Sequence, residues 1–352
     1  MDRDRMDAMA EATALTRAGR LAEATALIRR TVSGAPPAAP VDVVQGEVVV
    51  DDGAPPAGHH RPLAAPDGIA LPAGPAPGVT TARTHRGAAG ARSYLLHVPA
   101  TGSGPRPLVV LLHGGTQTAA EIATATRIRE LAEEHGFLVA CPEQPTSANS
   151  MRYWNWFQPG DQRRGAGEPA ILAGIVDDVA AAHEVDRDRV YVAGFSAGAA
   201  MAAVLGATYP DVFAAVGVHS GLPHGCAHDV ASAFAAMRET APAAAPLRRP
   251  VPVSVFHGDD DPTVAAGNAT RVVEQFTGGP VRGDTVVERG PGRPATRTVV
   301  SRNGVVVAEQ WTVHGSGHAW SGGVAGASYT DPAGPDASVE MLRFFAEHPR
   351  RG

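Results

Sequence analysis

Lysine is absent from this 352-residue chain, in which all 30 basic residues are arginine. Without an amine side chain the protein cannot use Schiff-base or pyridoxal chemistry, a Walker-A phosphate loop or a Ser-Lys dyad. Cysteine is scarce as well, and Cys141 and Cys226 are too few for a zinc ribbon or a multi-disulfide scaffold. The sequence leaves open whether these two residues pair with each other.

Long apolar runs and long basic runs are also missing. No apolar stretch approaches the ~18 residues of a membrane span, and the net charge is −6. We therefore expect neither a membrane-spanning segment nor nucleic acid as the main partner. The charged residues 1–5 are followed by a mixed polar helix rather than an apolar signal core, which favours a cytoplasmic protein, with an extracellular one as the alternative.

Three segments differ in composition. Residues 1–33 are predicted to form a helical hairpin that packs on the main domain or on a second subunit, or else docks on a hydrophobic granule. Residues 34–90 read as a Pro/Gly/Ala-rich linker or arm, since ten of the 30 prolines lie between Pro36 and Pro77. The segment 91–352 is predicted to form one large domain.

In that domain short apolar strands alternate with helices. The expected strands are 93–98, 108–112, 137–141, 190–194, 213–218 and 251–256, and the expected helices are 119–135, 169–184, one from Ala197, and 338–347. Asn303-Gly304 between two apolar runs indicates a type I′ hairpin. The alternation predicts an α/β fold with a mostly parallel, doubly wound sheet covered by helices on both faces.

The motif GFSAG at 194–198 follows a predicted strand and opens an Ala-rich helix. This strand–turn–helix context is what a G-x-S-x-G nucleophile elbow requires, because the glycines permit the tight turn that exposes the serine. Ser196 is therefore the candidate nucleophile. A serine hydroxyl needs a base to take its proton and a carboxylate to orient that base.

Carboxylates occur where the strand 251–256 ends, at Asp259, Asp260 and Asp261, and the residue pattern alone does not choose among them. His318, in a glycine-rich loop before the last helix, is the candidate base. His314 directly ends a strand and is predicted to be structural.

Two further groups of residues could contact a reacting ester. The glycines after the strand 108–112 leave backbone N–H groups available to face the site. They would supply the second oxyanion donor, beside the amide of Ala197. Aromatic residues are only 5% of the chain, yet they concentrate in the segment 153–157, which we interpret as a loop lining an apolar acyl groove. Trp320 neighbours the candidate base.

Over residues 91–349 the chain resembles the poly(3-hydroxybutyrate) depolymerase family of esterases, which has the α/β-hydrolase fold. The resemblance rests on HGGTQ at 113–117, PEQ at 142–144, WNWF at 154–157, GFSAG at 194–198, HGDDDPTV at 257–264 and GHAW at 317–320. It implies Ser196 as nucleophile, Asp261 as acid and His318 as base. It also implies that Gly115 and Ala197 supply the oxyanion amides, and that the tryptophans hold substrate: Trp154, Trp156 and Trp320.

Two departures from the family pattern shape the expectation. Positions 115 and 153 are often cysteine in related sequences and are Gly115 and Tyr153 here, so no bridge can form between them. The chain also ends soon after its last helix, whereas secreted members append a linker and a polymer-binding domain. We therefore expect amorphous granules, soluble oligomers or small esters as substrates rather than crystalline extracellular polymer.

These observations predict a serine carboxylesterase that cleaves poly(3-hydroxybutyrate) or its oligomers through an acyl-enzyme, without a metal or cofactor. The alternative within the same chemistry is a feruloyl- or acetyl-xylan-type esterase, or a general short-chain esterase. The alternative of another class is a granule-associated binding protein. The oligomeric state is not determined by the sequence.

Overall fold

A computed structural model of the chain describes residues 78–280, 283–288 and 292–350. In this part of the chain ten strands form one sheet in the order β1-β2-β4-β3-β5-β6-β7-β10-β9-β8. The strands are β1 (Val79–Gly87), β2 (Gly90–Val98), β3 (Arg106–Leu112), β4 (Leu138–Pro142), β5 (Val185–Phe195), β6 (Ala215–His219), β7 (Val253–Gly258), β8 (Asp284–Glu288), β9 (Ala295–Arg302) and β10 (Val305–Val313). Two short strands, β11 (Trp320–Ser321) and β12 (Thr330–Asp331), pair separately.

The six central strands, from β4 across to β10, run parallel to one another. The outer strands β1, β2, β9 and β8 are antiparallel to their neighbours. Parallel strands place their carboxyl ends at one edge, which is where open α/β sheets carry their sites. The GFSAG, HGDDDPTV and GHAW segments all lie at that edge, after β5, β7 and β10.

Helices cover both faces of the sheet, as the sequence predicts. They are α1 (Ala119–Ala125), α2 (Ile128–His135), α3 (Gly167–Ala182), α4 (Ala197–Thr208), α5 (Val230–Arg238), α6 (Gly267–Thr277) and α7 (Ala337–Glu347). Alternate residues of β3 enter two separate cores: Leu108 and Val110 pack with α3, α4 and α6, whereas Val109 packs with α1, α2 and α7. This two-sided burial explains why the central strands are apolar without alternation.

The expected helix over 119–135 is broken in two. Thr126 ends α1, and Arg127 adopts a left-handed backbone with a φ of 54° before α2 begins at Ile128. The expected hairpin at Asn303-Gly304 is present, with φ values of 51° and 76° that a type I′ turn requires.

The arm predicted over 34–90 is wrong at its C-terminal end, because β1 lies within it. This strand pairs along its whole length with β2 and is the outermost strand of the sheet. Its residues are mostly exposed, so it lacks the apolar pattern by which buried strands are recognised. The hairpin predicted for 1–33 and the rest of the arm up to residue 77 lie outside the described residues.

None of the helices that the structure describes is both long and apolar enough to cross a lipid bilayer.

Candidate active site

Ser196 occupies a strained turn between β5 and α4, with φ 54° and ψ −118°. The glycines on either side make this turn possible. A Cβ on Gly194 would lie 2.4 Å from the backbone of Gly198, and a Cβ on Gly198 would lie 2.4 Å from the carbonyl oxygen of Leu112. Only glycine permits these approaches, so the elbow forms where the motif predicts it.

His318 and Asp261 meet at the same edge of the sheet. The Nδ1 of His318 lies 2.7 Å from Oδ2 of Asp261, whose side chain is 0% exposed. The other oxygen, Oδ1, accepts hydrogen bonds from the amides of Thr263 at 2.8 Å and Val264 at 2.9 Å. This carboxylate is fully buried and holds the imidazole by its Nδ1, and among the described residues the Nε2 has no hydrogen-bond partner.

The charge of Asp261 is stabilised despite its burial. Desolvation by itself would raise the pKa of Asp261, but hydrogen bonds from His257 and His318 and the attraction of His318 outweigh it and hold this pKa well below its usual value. The Nε2 of His257 lies 3.3 Å from Asp261 Oδ2 and also donates to the carbonyl of Val264 at 2.9 Å. Asp261 is therefore ionised at neutral pH beside His318.

The neighbouring aspartates have other roles. Asp259 binds His314 Nδ1 at 2.7 Å and the amide of Gly315 at 2.7 Å, and Asp260 is exposed. His314 in turn contacts Thr296 Oγ1 through its Nε2 at 2.7 Å. The structure thus separates the three consecutive carboxylates, and it places His314 in a link between β9 and the 259 turn, in keeping with its predicted structural role.

His219, which the sequence analysis did not single out, connects the nucleophile loop to the base loop. Its carbonyl accepts from the amide of Ser196 at 2.9 Å, and its Nε2 accepts from the amide of Ser321 at 2.9 Å. Burial, with a smaller repulsion from His257 and His318, lowers the pKa of His219 well below its usual value, so the imidazole is neutral. Its position at the end of the apolar strand β6 was the available signal.

The glycine loop after β3 lies against the elbow. A Cβ on Gly114 would lie 2.8 Å from the ring of Phe195, and one on Gly115 would lie 2.1 Å from the ring of Tyr153. The amide of Gly114 is already bound to Gln117 Oε1 at 2.9 Å. Within residues 78–280, 283–288 and 292–350 the amide of Gly115 has no hydrogen-bond acceptor. The amide of Ala197 opens α4 and has no acceptor within its own helix.

The comparisons with known proteins can now be set beside this geometry. The family model described as Esterase PHB depolymerase matches residues 92–300, more than half of the chain. The chain belongs to this family. The resemblance predicted from the motifs is thereby confirmed.

The chain is similar to several curated members of this and related esterase groups. It is 41% identical over 237 residues to a poly(3-hydroxyalkanoate) depolymerase C from Paucimonas lemoignei. This match covers 63% of this chain and 57% of that protein. It is 35% identical over 127 residues to a feruloyl esterase B from Neurospora crassa, covering 36% of this chain and 42% of that one. The chain therefore spans less than two thirds of the length of these relatives.

Among solved structures, an acetyl xylan esterase from Aspergillus awamori matches with a TM-score of 0.59 and 19% identity, over 77% of this chain and 100% of that one. At this identity the likeness concerns the fold alone. It agrees with the α/β-hydrolase architecture that the sequence predicts.

The three tryptophans that the family resemblance suggests as substrate-binding residues lie in the core of this family member. Trp154, Trp156 and Trp320 are 0%, 4% and 2% exposed. The Nε1 of Trp154 donates to the carbonyl of His113 at 3.0 Å, and that of Trp320 donates to Ser338 Oγ at 3.0 Å. These rings support the loops of the site and present almost no surface to a substrate, which contradicts the substrate contacts predicted for the three tryptophans.

Cys141 and Cys226 are free thiols. Burial raises the pKa of each to about 12, so neither is a nucleophile at neutral pH. In the part of the chain that the structure describes, no group of three or more His, Cys, Asp or Glu side chains is arranged to hold a metal ion.

Proposed function

We propose that this chain is a serine carboxylic ester hydrolase that cleaves poly(3-hydroxybutyrate) or its oligomers. The observation that carries the proposal is the pairing of His318 with a buried, fully hydrogen-bonded Asp261 at the edge where Ser196 stands in its elbow. Carboxylates whose pKa is perturbed by burial and specific partners cluster at functional sites. Here that function is to orient an imidazole and stabilise its protonated form.

In the proposed reaction the hydroxyl of Ser196 attacks the ester carbonyl while His318 Nε2 takes its proton. Asp261 accepts the hydrogen bond from Nδ1–H and so fixes the tautomer in which Nε2 is the base. The resulting oxyanion receives hydrogen bonds from the amides of Ala197 and Gly115. His318 then gives its proton to the departing alkoxide, leaving Ser196 acylated.

The second half of the reaction uses the same groups. His318 removes a proton from water, the hydroxide attacks the acyl carbonyl, and the tetrahedral intermediate collapses to release the carboxylic acid and restore the Ser196 hydroxyl. Each cycle consumes one ester bond and one water and yields one alcohol and one acid. Every group in the scheme belongs to the chain itself.

The polyester substrate is favoured by the extent of the sequence similarity. The match to the poly(3-hydroxyalkanoate) depolymerase spans 237 residues, whereas that to the feruloyl esterase spans 127. A feruloyl- or acetyl-xylan-type specificity is the competing proposal. The test should therefore include both kinds of ester.

The test measures hydrolysis of p-nitrophenyl butyrate, a 3-hydroxybutyrate trimer and methyl ferulate by the wild type, Ser196→Ala, Asp261→Asn and Asp260→Asn. We expect turnover of the first two substrates, a loss of about a million-fold in kcat for Ser196→Ala, and about 10⁴-fold for Asp261→Asn. Asp260→Asn, an exposed neighbour with the same charge change, should stay within about twofold.

The outcomes separate the alternatives. Turnover of p-nitrophenyl butyrate and methyl ferulate but not the trimer would replace the polyester assignment by the feruloyl type. Full activity in Ser196→Ala would refute the serine mechanism altogether.

A further inference from the structure

Tyr329 is an exposed aromatic side chain beside the proposed base and nucleophile. Its ring centroid lies 6.4 Å from that of His318, edge to face, and 6.1 Å from that of Phe195, the residue before Ser196. Its exposed fraction is 46%, in contrast to the buried tryptophans. Tyr329 thus offers an accessible ring where they do not.

The phenol of Tyr329 is held on the glycine loop. Its hydroxyl lies 3.3 Å from Oγ1 of Thr116, the residue after Gly115, and the amide of Thr116 donates to the carbonyl of Met151 at 2.8 Å. Tyr153 packs on the same loop, over Gly115. Burial, and secondarily the nearby Tyr329, raises the pKa of Tyr153. Both tyrosines therefore contact the loop that carries the proposed oxyanion amide of Gly115.

The backbone of Tyr329 is strained, with a φ of 52°. A bulky residue seldom adopts this left-handed conformation, and such strain clusters at functional sites. Three other non-glycine residues with positive φ belong to the same surroundings: Thr116, Arg152 and Ser196. The carbonyl of Tyr329 accepts from the amide of Trp320 at 2.7 Å, so the strained turn is anchored directly to the loop that carries His318.

We propose that Tyr329 is a substrate-contact residue whose exposed ring binds the apolar chain of the ester beyond its reacting carbonyl. This proposal rests on the proposed ester hydrolysis at Ser196. With its hydroxyl held by Thr116 and its edge near His318, the ring is fixed before substrate arrives, so a bound chain gains contact without ordering a mobile side chain. A small acyl group that ends at the carbonyl would not reach the ring, and a longer one would.

The prediction is a selective effect on extended substrates. We would measure kcat and KM of wild type, Tyr329→Ala and Tyr329→Phe with p-nitrophenyl acetate, p-nitrophenyl hexanoate and a 3-hydroxybutyrate trimer. Tyr329→Ala should lower kcat/KM about tenfold for the hexanoate and the trimer, mainly through KM, and less than about twofold for the acetate. Tyr329→Phe, which keeps the ring and loses only the contact to Thr116, should restore most of the activity.

Val305→Ala is the matched control, because Val305 is also apolar and is 39% exposed. It begins β10, whereas Val313, at the opposite end of that strand, lies beside Gly258. It should change none of the three substrates. An equal loss on acetate and hexanoate in Tyr329→Ala would show that the ring only positions His318, and no loss on hexanoate would exclude the contact. If the wild type cleaves hexanoate but not the trimer, the polyester function fails while the acetate–hexanoate comparison still decides the role of Tyr329.

Discussion

At the scale of single residues, hydrogen bonding distinguishes side chains that the sequence presents as equals. Asp259, Asp260 and Asp261 are consecutive and chemically identical, and their pattern alone did not select one. In the fold, Asp261 is buried with donors on both oxygens, Asp259 binds His314 and Asp260 is exposed. The choice of Asp261 came from the family resemblance, and its pairing with His318 supports that choice.

The departures at positions 115 and 153 are likewise connected in space. The ring of Tyr153 lies within 2.1 Å of the place where a Cβ on Gly115 would stand. The absence of a side chain at position 115 is thus required by the large side chain at position 153. The sequence showed two separate differences from related chains, and the structure shows one packing arrangement.

His219 gives a prediction of pH dependence. Its pKa is lowered in the fold because the ring is buried, while in the unfolded chain it keeps its ordinary value near 6.5. The unfolded state therefore binds more protons below that pH. As the pH is lowered further, His219 should decrease the free energy of unfolding by up to about 1.4 kcal/mol per pH unit. His219→Gln should be less stable than the wild type at pH 7. Its free energy of unfolding, measured by urea unfolding, should depend less on pH between pH 6.5 and 5.

An exposed histidine provides the control for this experiment. The side chain of His228 is 79% exposed. Its replacement by glutamine should not change the slope of the free energy of unfolding against pH. The buried His113, whose pKa is also lowered by burial, remains in every variant and accounts for a residual slope. An unchanged slope in His219→Gln would contradict the assignment of a neutral, buried imidazole.

At the scale of elements, the position of α4 against the end of β3 controls the nucleophile. A Cβ on Gly198 would lie 2.4 Å and 2.5 Å from the carbonyl oxygens of Leu112 and His113. Gly198→Ala should therefore displace the start of α4, lowering stability by about 1–3 kcal/mol and kcat by about 100-fold, since Ser196 and the Ala197 amide move with it. Urea unfolding and p-nitrophenyl butyrate hydrolysis would measure the two effects.

The corresponding control is Gly160→Ala, because a Cβ at Gly160 would have no atom within 4 Å. That variant should stay within about 0.5 kcal/mol of the wild type and keep its activity. Retention of full kcat by Gly198→Ala would mean that the elbow tolerates a shift of α4, against the close approach described above.

Strands and helices differ in how clearly the sequence predicts them. The buried strands β3, β4 and β6 are continuous apolar runs and were predicted within a few residues. The strands β1 and β8 at the sheet edges were missed because both of their faces are largely exposed, so neither strand carries a buried apolar pattern. The break between α1 and α2 was missed as well, because no glycine or proline marks it and Arg127 adopts the left-handed backbone instead.

At the scale of the whole molecule, β1 extends the domain beyond the boundary expected at residue 91. Besides its ladder with β2, it contributes His85, whose Nδ1 lies 2.8 Å from Asp178 on α3. A truncated chain that begins at Ala70 should keep wild-type hydrolysis of p-nitrophenyl butyrate, because every residue of the proposed site follows β1. One that begins at Ala91 should lose about 3 kcal/mol or more of stability, since several ladder hydrogen bonds are lost.

Comparing the two truncations isolates the strand. The shorter chain exposes the edge of β2, so a lower urea midpoint and aggregation should accompany it. Equal stability of the two would show that β1 is dispensable and that the sequence-based boundary describes the folding unit better.

The sequence by itself determined the local features of this esterase-family protein. The elbow, the order of strands and helices, and the candidates Ser196 and His318 follow from short motifs, because turn geometry and buried strands impose their residue types locally. Only the tertiary structure decided which side chains meet. The pairing of Asp261 with His318, the burial of the tryptophans, the bridge through His219 and the exposure of Tyr329 depend on contacts between segments up to 213 residues apart, and no local pattern encodes those distances.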